Sequence, residues 1–141
     1  MSIWVHQASV KDLNKLCKNT MVSHIGIEFT EIGEIYICAK MPVTHCTRQP
    51  DGLLHGGASV VLAETLGSVA SNLCVDRKHK ICVGLDINAN HVRSSRSGFV
   101  TGTTTPIHLG NLTQIWEIKI TDEKKSLICI VRLTMAVLNR S

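Results

Sequence analysis

Apolar and polar positions alternate, with β-branched side chains among them, from His24 to Phe29 and again from Glu34 to Val43. That period predicts a strand, a turn over Thr30 to Gly33, and a second strand closed by Pro42. Upstream, Ser9-Val10-Lys11-Asp12 has the form of a capping box, and Val10, Leu13 and Leu16 follow at helical spacing, so a short helix with one buried stripe is expected to end near Asn19. Residues 44 to 55 hold Pro50, Asp51 and Gly52 among polar side chains and read as a loop. A helix from about Gly56 to Cys74 comes next, apolar on most of its sides, which marks it as enclosed rather than laid on a surface. Four strands are then expected, at Ile81–Asn90, Gly98–Leu109, Leu112–Thr121 and Leu127–Leu138, separated by turn signals at Arg96–Gly98, Gly110-Asn111 and Asp122–Lys125. Consecutive strands with short connections favour an antiparallel sheet, and one long greasy helix is the object for it to curl around. The class is α+β.

At 141 residues the chain fits one domain, 1–141, able to bury a core without disulfide staples. Apolar residues at 44% against 18% charged exclude disorder and imply further surface hidden by self-association. The net charge of +4 is small, and the chain holds only two Trp, one Tyr and two Phe, so a nucleic-acid partner is not expected. Six cysteines without a C-x-x-C pair, mostly inside apolar runs, read as free thiols in a reducing compartment. The seven histidines do not match a zinc-ligand spacing, and no metal is expected. The N-terminus has no signal-peptide pattern and no run reaches the ~20 apolar residues of a membrane span, so a cytoplasmic location off the membrane is expected.

Glu64 interrupts the apolar run of the long helix, where an ionised carboxylate costs free energy unless it is paired or employed. Ser68 and Ser71 follow at helical spacing and form a polar line with it. A carboxylate partly desolvated by Leu62 and Leu66 is the better base toward water; the alternative is a carboxylate hydrogen-bonded across an interface. At the helix start, Gly56 and Gly57 leave first-turn amides bare, so that a carbonyl oxygen could approach them and be stabilised as charge develops there. Taken alone, Gly-Gly is more commonly a tight loop-to-helix turn, and His55 a turn residue. About 10 Å of axis separates Gly57 from Glu64, which permits a reacting carbon to lie between one subunit's helix end and another's carboxylate.

The stretch Gln49-Pro50-Asp51-Gly52-Leu53-Leu54-His55-Gly56-Gly57, continuing through Ala58-Ser59-Val60-Val61-Leu62-Ala63-Glu64, resembles the signature of hotdog-fold acyl-CoA thioesterases. It is most similar to the branch that holds the 1,4-dihydroxy-2-naphthoyl-CoA and enterobactin-pathway proofreading thioesterases. The resemblance implies a curved antiparallel sheet wrapped around the Gly56–Cys74 helix, in homodimers that assemble into homotetramers. It implies Glu64 as nucleophile or general base, the Gly57 amide polarising the thioester carbonyl, Gln49 and His55 as polar support, and Ser68 assisting the attacking water. Gly56 and Val69 would line the substrate site, Val69 leaving room for an aromatic acyl group. The segment around Asn90, His91, Val92, Arg93, Ser94, Ser95 and Arg96 resembles the strand and loop that grip coenzyme A, with Arg93 or Arg96 meeting phosphate. Each arginine taken singly is equally a residue of a solvated hairpin. No separate cofactor is implied, since coenzyme A belongs to the substrate; an acyl-carrier protein is an alternative carrier. Two other functions fit the fold: an enoyl-CoA hydratase or dehydratase, which would bring a histidine and a carboxylate together on the acyl chain, and a non-catalytic acyl-CoA sensor.

Overall fold

The computed structural model describes residues 1–141. Nine elements follow one another: α1 (Val10–Leu16), α2 (Met21–His24), β1 (Glu28–Ile32), β2 (Ile37–Pro42), α3 (Gly56–Leu73), β3 (Lys80–His91), β4 (Phe99–Leu109), β5 (Thr113–Thr121) and β6 (Leu127–Asn139). The strands form one antiparallel sheet in the order β1-β2-β4-β5-β6-β3. α3 packs across one face of it, touching every strand from β2 to β6.

Strand alternation explains which face is dry. In β5, Gln114, Trp116, Ile118 and Ile120 are buried in turn, and in β6 Cys129, Val131, Leu133, Met135 and Val137 do the same. Against them α3 sets Leu62, Ala63, Leu66 and Ala70, all fully buried. Close approach of helix and sheet depends on Gly102 of β4, where a Cβ would stand 2.6 Å from Leu66 Cδ1. Register shifts at Phe29/Glu31, Gly84/Asp86, Pro106/His108 and Ile120/Thr121 bend the strands, and bulges of this kind help the sheet to curve around α3. This is the sheet-around-helix architecture that the resemblance implied.

Two expectations are corrected. Residues Met21–His24 form a helical turn whose Val22 amide donates to the Thr20 hydroxyl at 3.2 Å, and Gly26 follows at φ +84°, so the first strand starts at Glu28 rather than His24 and runs through Thr30 to Ile32. The capping box of α1 is present, Ser9 Oγ accepting from Asp12 N at 3.1 Å and Asp12 Oδ2 from Ser9 N at 3.0 Å, yet Leu13 alone of the expected stripe is fully buried and Leu16 is 71% exposed. α1 ends at Leu16, with Asn19 beyond it in the left-handed region.

The N-terminal arm is tied down by Trp4, which stacks on Trp116 with ring centroids 6.3 Å apart and donates through Nε1 to Gly33 O. The amides of Val5 and His6 then donate to Leu73 O, satisfying a carbonyl at the end of α3. Asn72 joins α3 to β3: its Nδ2 donates to Ser68 O and Cys82 O, and its Oδ1 accepts from Cys82 N at 3.0 Å. The six cysteines are unpaired. No helix is long and apolar enough to cross a membrane.

Candidate active site

The loop before α3 is held by its own backbone. Gln49 Oε1 accepts from the amides of Asp51 (2.6 Å) and Leu53 (3.3 Å), a local turn that leaves the Nε2 donor of Gln49 uncommitted. Leu54 N donates to Ser95 O and His55 N to Thr47 O, so the loop is stitched to the segment after β3. Between these segments lies an open cavity of about 390 Å³ lined by Gln49, Leu53, Leu54, Gly56 and Ser59 on one side, and His91, Val92, Arg93, Ser94, Ser95 and Ile128 on the other. Most of the residues expected around a thioester carbonyl and its coenzyme A tail are thereby brought together.

At the helix start, the Gly57 amide is already occupied. It donates to His55 Nδ1 at 2.8 Å, so His55 caps α3 with its ring and keeps its proton on Nε2. The Gly56 amide has no hydrogen-bond partner in the chain, while those of Ala58 and Ser59 return to His55 O. Gly56 is also the residue at the cavity wall, and a Cβ there would stand 2.9 Å from His91 Nε2. The bare donor facing the cavity is therefore that of Gly56, one residue before the expected Gly57.

Glu64 is half-buried two turns further along α3, outside that cavity. Its carboxylate lies against Gly84 of β3, with Oε1 3.6 Å from where a Cβ would sit. It forms no ion pair within the chain. Its oxygens also remain open to solvent rather than sealed without a partner. Gly84 was not singled out from sequence; a glycine inside a strand pattern, next to a register shift, is the signal that marks such a close approach.

Ser68 and Val69 line a second, more apolar cavity of about 310 Å³ between α1 and α3, with Leu13, Leu16, Asn72, Leu73, His6 and Arg77. Ser71 leaves the expected polar line: it is fully buried and its Oγ donates to Gln114 Oε1 at 2.6 Å, which also accepts from Trp116 Nε1. Arg96 lies in a third hollow of about 290 Å³, with Ser94, Ser95, Ser97, Phe99 and the Asp122–Lys124 turn. Asn90 is misplaced by the sequence reading. Along β3, Ile87 and Ala89 pack toward the core, so Asn88 and Asn90 face the opposite side of the sheet, in a hollow with Ile107, Glu117 and Arg132. No three His, Cys, Asp or Glu side chains converge as a metal-holding group.

The pattern of the thioesterase superfamily matches residues 51–129, from the end of the loop through α3, β3, β4 and β5 to the first residues of β6. The chain belongs to the thioesterase superfamily. A 1,4-dihydroxy-2-naphthoyl-CoA hydrolase of Escherichia coli is 52% identical over 136 residues, 96% of this chain and 99% of that one. The crystal structure of a thioesterase from Haemophilus influenzae superposes with a TM-score of 0.95 at 52% identity, covering 97% of this chain and 95% of that one. A thioesterase variant from Pseudomonas aeruginosa superposes with a TM-score of 0.97 at 47% identity, covering 99% and 100%. This member of the superfamily is a thioester hydrolase of hotdog fold.

Proposed function

We propose that the chain hydrolyses an aromatic acyl-CoA to the free acid and coenzyme A, with Glu64 as the group that delivers oxygen to the thioester carbonyl. The observation that carries this reading is the placement of Glu64: half-buried on an apolar helix, its carboxylate facing the open side-chain position of Gly84, and without a cationic partner in the chain. A carboxylate so held keeps both oxygens available. Glu64 either takes a proton from water as the water oxygen attacks, or attacks the carbonyl carbon itself and is then freed by water. In both routes the carbon–sulfur bond breaks, the thiolate leaves with coenzyme A, and one oxygen of the product acid comes ultimately from water.

The oxygen of the thioester would meet the Gly56 amide, with the Gln49 Nε2 and His55 Nε2 donors as support in the roles expected of those residues. Within one chain, Gly56 and Glu64 are eight residues apart, ~12 Å along the axis, too far to grip one carbonyl from both sides. The long unpaired edge of β3, which carries exposed Val83 and Leu85 beside the Glu64 seat, supports a homodimer in which one copy's helix start meets the other's carboxylate. The coenzyme A tail would follow His91–Ser95, and Arg93 or Arg96 would take its phosphates. The relative named a 1,4-dihydroxy-2-naphthoyl-CoA hydrolase supports an aromatic acyl group of one or two rings.

The test is a panel of aliphatic and aromatic acyl-CoAs followed by loss of thioester absorbance, with an enoyl-CoA beside them. Faster loss of aromatic thioesters, with the enoyl compound left unhydrated, is expected; consumption of the enoyl-CoA by hydration, or no preference for aromatic chains, overturns it. A single turnover in labelled water separates the two routes, since label enters Glu64 only if it attacks directly.

A further inference from the structure

We propose that the Ser59 hydroxyl is a further donor to the thioester carbonyl oxygen, one helical turn behind the Gly56 amide in the same cavity; this rests on the thioesterase reading above and adds a catalytic residue to it. Ser59 stands on the face of α3 that turns to the sheet, in line with buried Leu62, Ala63 and Leu66, and only 1% of it is exposed. That remnant opens on the cavity between the loop and the segment after β3, which Ser59 lines together with Gln49, Gly56, His91 and Ile128.

A serine buried inside a helix ordinarily satisfies its hydroxyl, either on the carbonyl of the preceding turn or on a neighbouring side chain. Ser71 of the same helix does so, donating to Gln114 Oε1 at 2.6 Å. Ser59 does not. The carbonyl one turn back, His55 O, accepts the amides of Ala58 and Ser59, and Ser59 Oγ has no hydrogen bond within the chain. Nor is that oxygen sealed in the core, as Thr104 Oγ1 is. A hydroxyl that is buried, unpaired and open on a cavity is a donor held for what enters the cavity. Side chains on a helix lean toward its N-terminus, and residues three apart share a face with their Cβ positions ~5–6 Å apart, so the Ser59 hydroxyl leans toward the turn that holds the Gly56 amide. An oxygen placed between the two can accept from both at ~3 Å. The thioester carbonyl oxygen has two lone pairs for this, and its charge grows as the tetrahedral intermediate forms, so both bonds tighten during the reaction. Leu53, Leu54 and Ile128 line the same cavity, and their apolar surroundings strengthen a hydrogen bond made there. The serine keeps its proton throughout, and Glu64 remains the group that delivers oxygen.

The experiment compares Ser59→Ala and Ser59→Cys with the unaltered full chain. Steady-state rates are measured on benzoyl-CoA, and unfolding midpoints in urea. Infrared spectra are taken with bound, carbonyl-labelled phenacyl-CoA, a ketone in which a methylene between carbonyl and sulfur blocks hydrolysis. Ser59→Ala is expected to lower kcat about tenfold or more with KM changed by less than about twofold. Its urea midpoint should equal or exceed the parent's, because no hydrogen bond within the chain is lost. The labelled carbonyl band should move to higher frequency, as it does when a donor is withdrawn. Ser59→Cys keeps the shape with a weaker donor and should fall between the two. An unchanged kcat overturns the proposal, as does a rate loss with an unmoved band or a rise in KM alone, either of which places the hydroxyl elsewhere on the substrate. A drop in midpoint that accompanies the rate loss in both variants, again with the band unmoved, makes Ser59 a packing residue and overturns it too. The two readings fail separately: no hydrolysis of benzoyl-CoA by the unaltered chain removes the aromatic thioesterase reading and this role with it, whereas hydrolysis that Ser59→Ala leaves untouched removes only the role of Ser59.

Discussion

At its first turn α3 presents glycine backbone to a cavity rimmed by Gln49, His91 and Arg93; near its other end the same helix presents Val69 and Leu73 to a cavity walled by leucines. The first end centres on a backbone group, an amide without a partner, exposed by the absence of a Cβ. The second is made almost wholly of side chains contributed by the N-terminal arm, α1 and the last turns of α3. Glu64 stands between them. The division suits an enzyme whose chemistry stays constant while its substrate is set by residues that can be exchanged.

The sharpest way to break this division is at its centre. Glu64→Gln keeps the shape and removes the charge, and turnover is expected to fall by at least ~10² while the unfolding midpoint in urea stays close to that of the parent. Near-normal turnover would take the carboxylate out of the reaction. At the first end, Gly56→Ala pushes a methyl to within 2.9 Å of His91 Nε2 and over the free amide. About a tenfold or greater loss in kcat is expected, with the preference for aromatic over aliphatic thioesters unchanged. Equal losses on every measure of stability and rate would instead make Gly56 a packing residue.

Ser71→Ala probes the other end. It removes one of two donors to Gln114 Oε1 inside the core, and unfolding free energy should drop by about 1–2 kcal/mol with the rate per folded molecule unaltered. A rate effect would show that the buried network reaches the site. The smallest expected effect concerns Cys74, the residue that caps the end of α3, whose thiol is pushed up to about 12 by burial and by nearby Cys82. A thiol reagent near pH 8 should therefore modify exposed Cys46 first and leave Cys74 untouched in the native protein, as peptide mapping would record. Rapid labelling of Cys74 would mean that this end of the helix opens.

How much of this was legible in the sequence follows from which signals are local. The α1 capping box, the six-strand count and α3 from Gly56 rest on periodicity and turn chemistry within a few residues, and the element bounds hold to within a residue or two apart from the first strand, the start of the second, which is Ile37 rather than Glu34, and the end of α1. There, Thr20 and Gly26 imposed a helical turn on a segment whose alternation suggested extension. The cluster of Gln49, Gly56 and His91–Ser95 was legible through the family signature. Gly57 and Asn90 were not, because one depends on where a histidine ring turns and the other on which side of a strand an even-numbered position falls. Gly84 escaped for another reason: a glycine inside a strand is a local signal of close approach, but that the approaching group is Glu64 of α3 is recorded in no short window.

Asn72 carries a consequence for assembly. Its carboxamide meets both backbone groups of Cys82 as a neighbouring peptide would, so a side chain stands in for a strand at one end of the outer rim of β3. A newcomer laid along that rim finds Cys82 already paired and must begin its ladder beyond it, toward Gly84 and His91. One amide thus acts as a ruler's zero mark, fixing where a twin molecule would align.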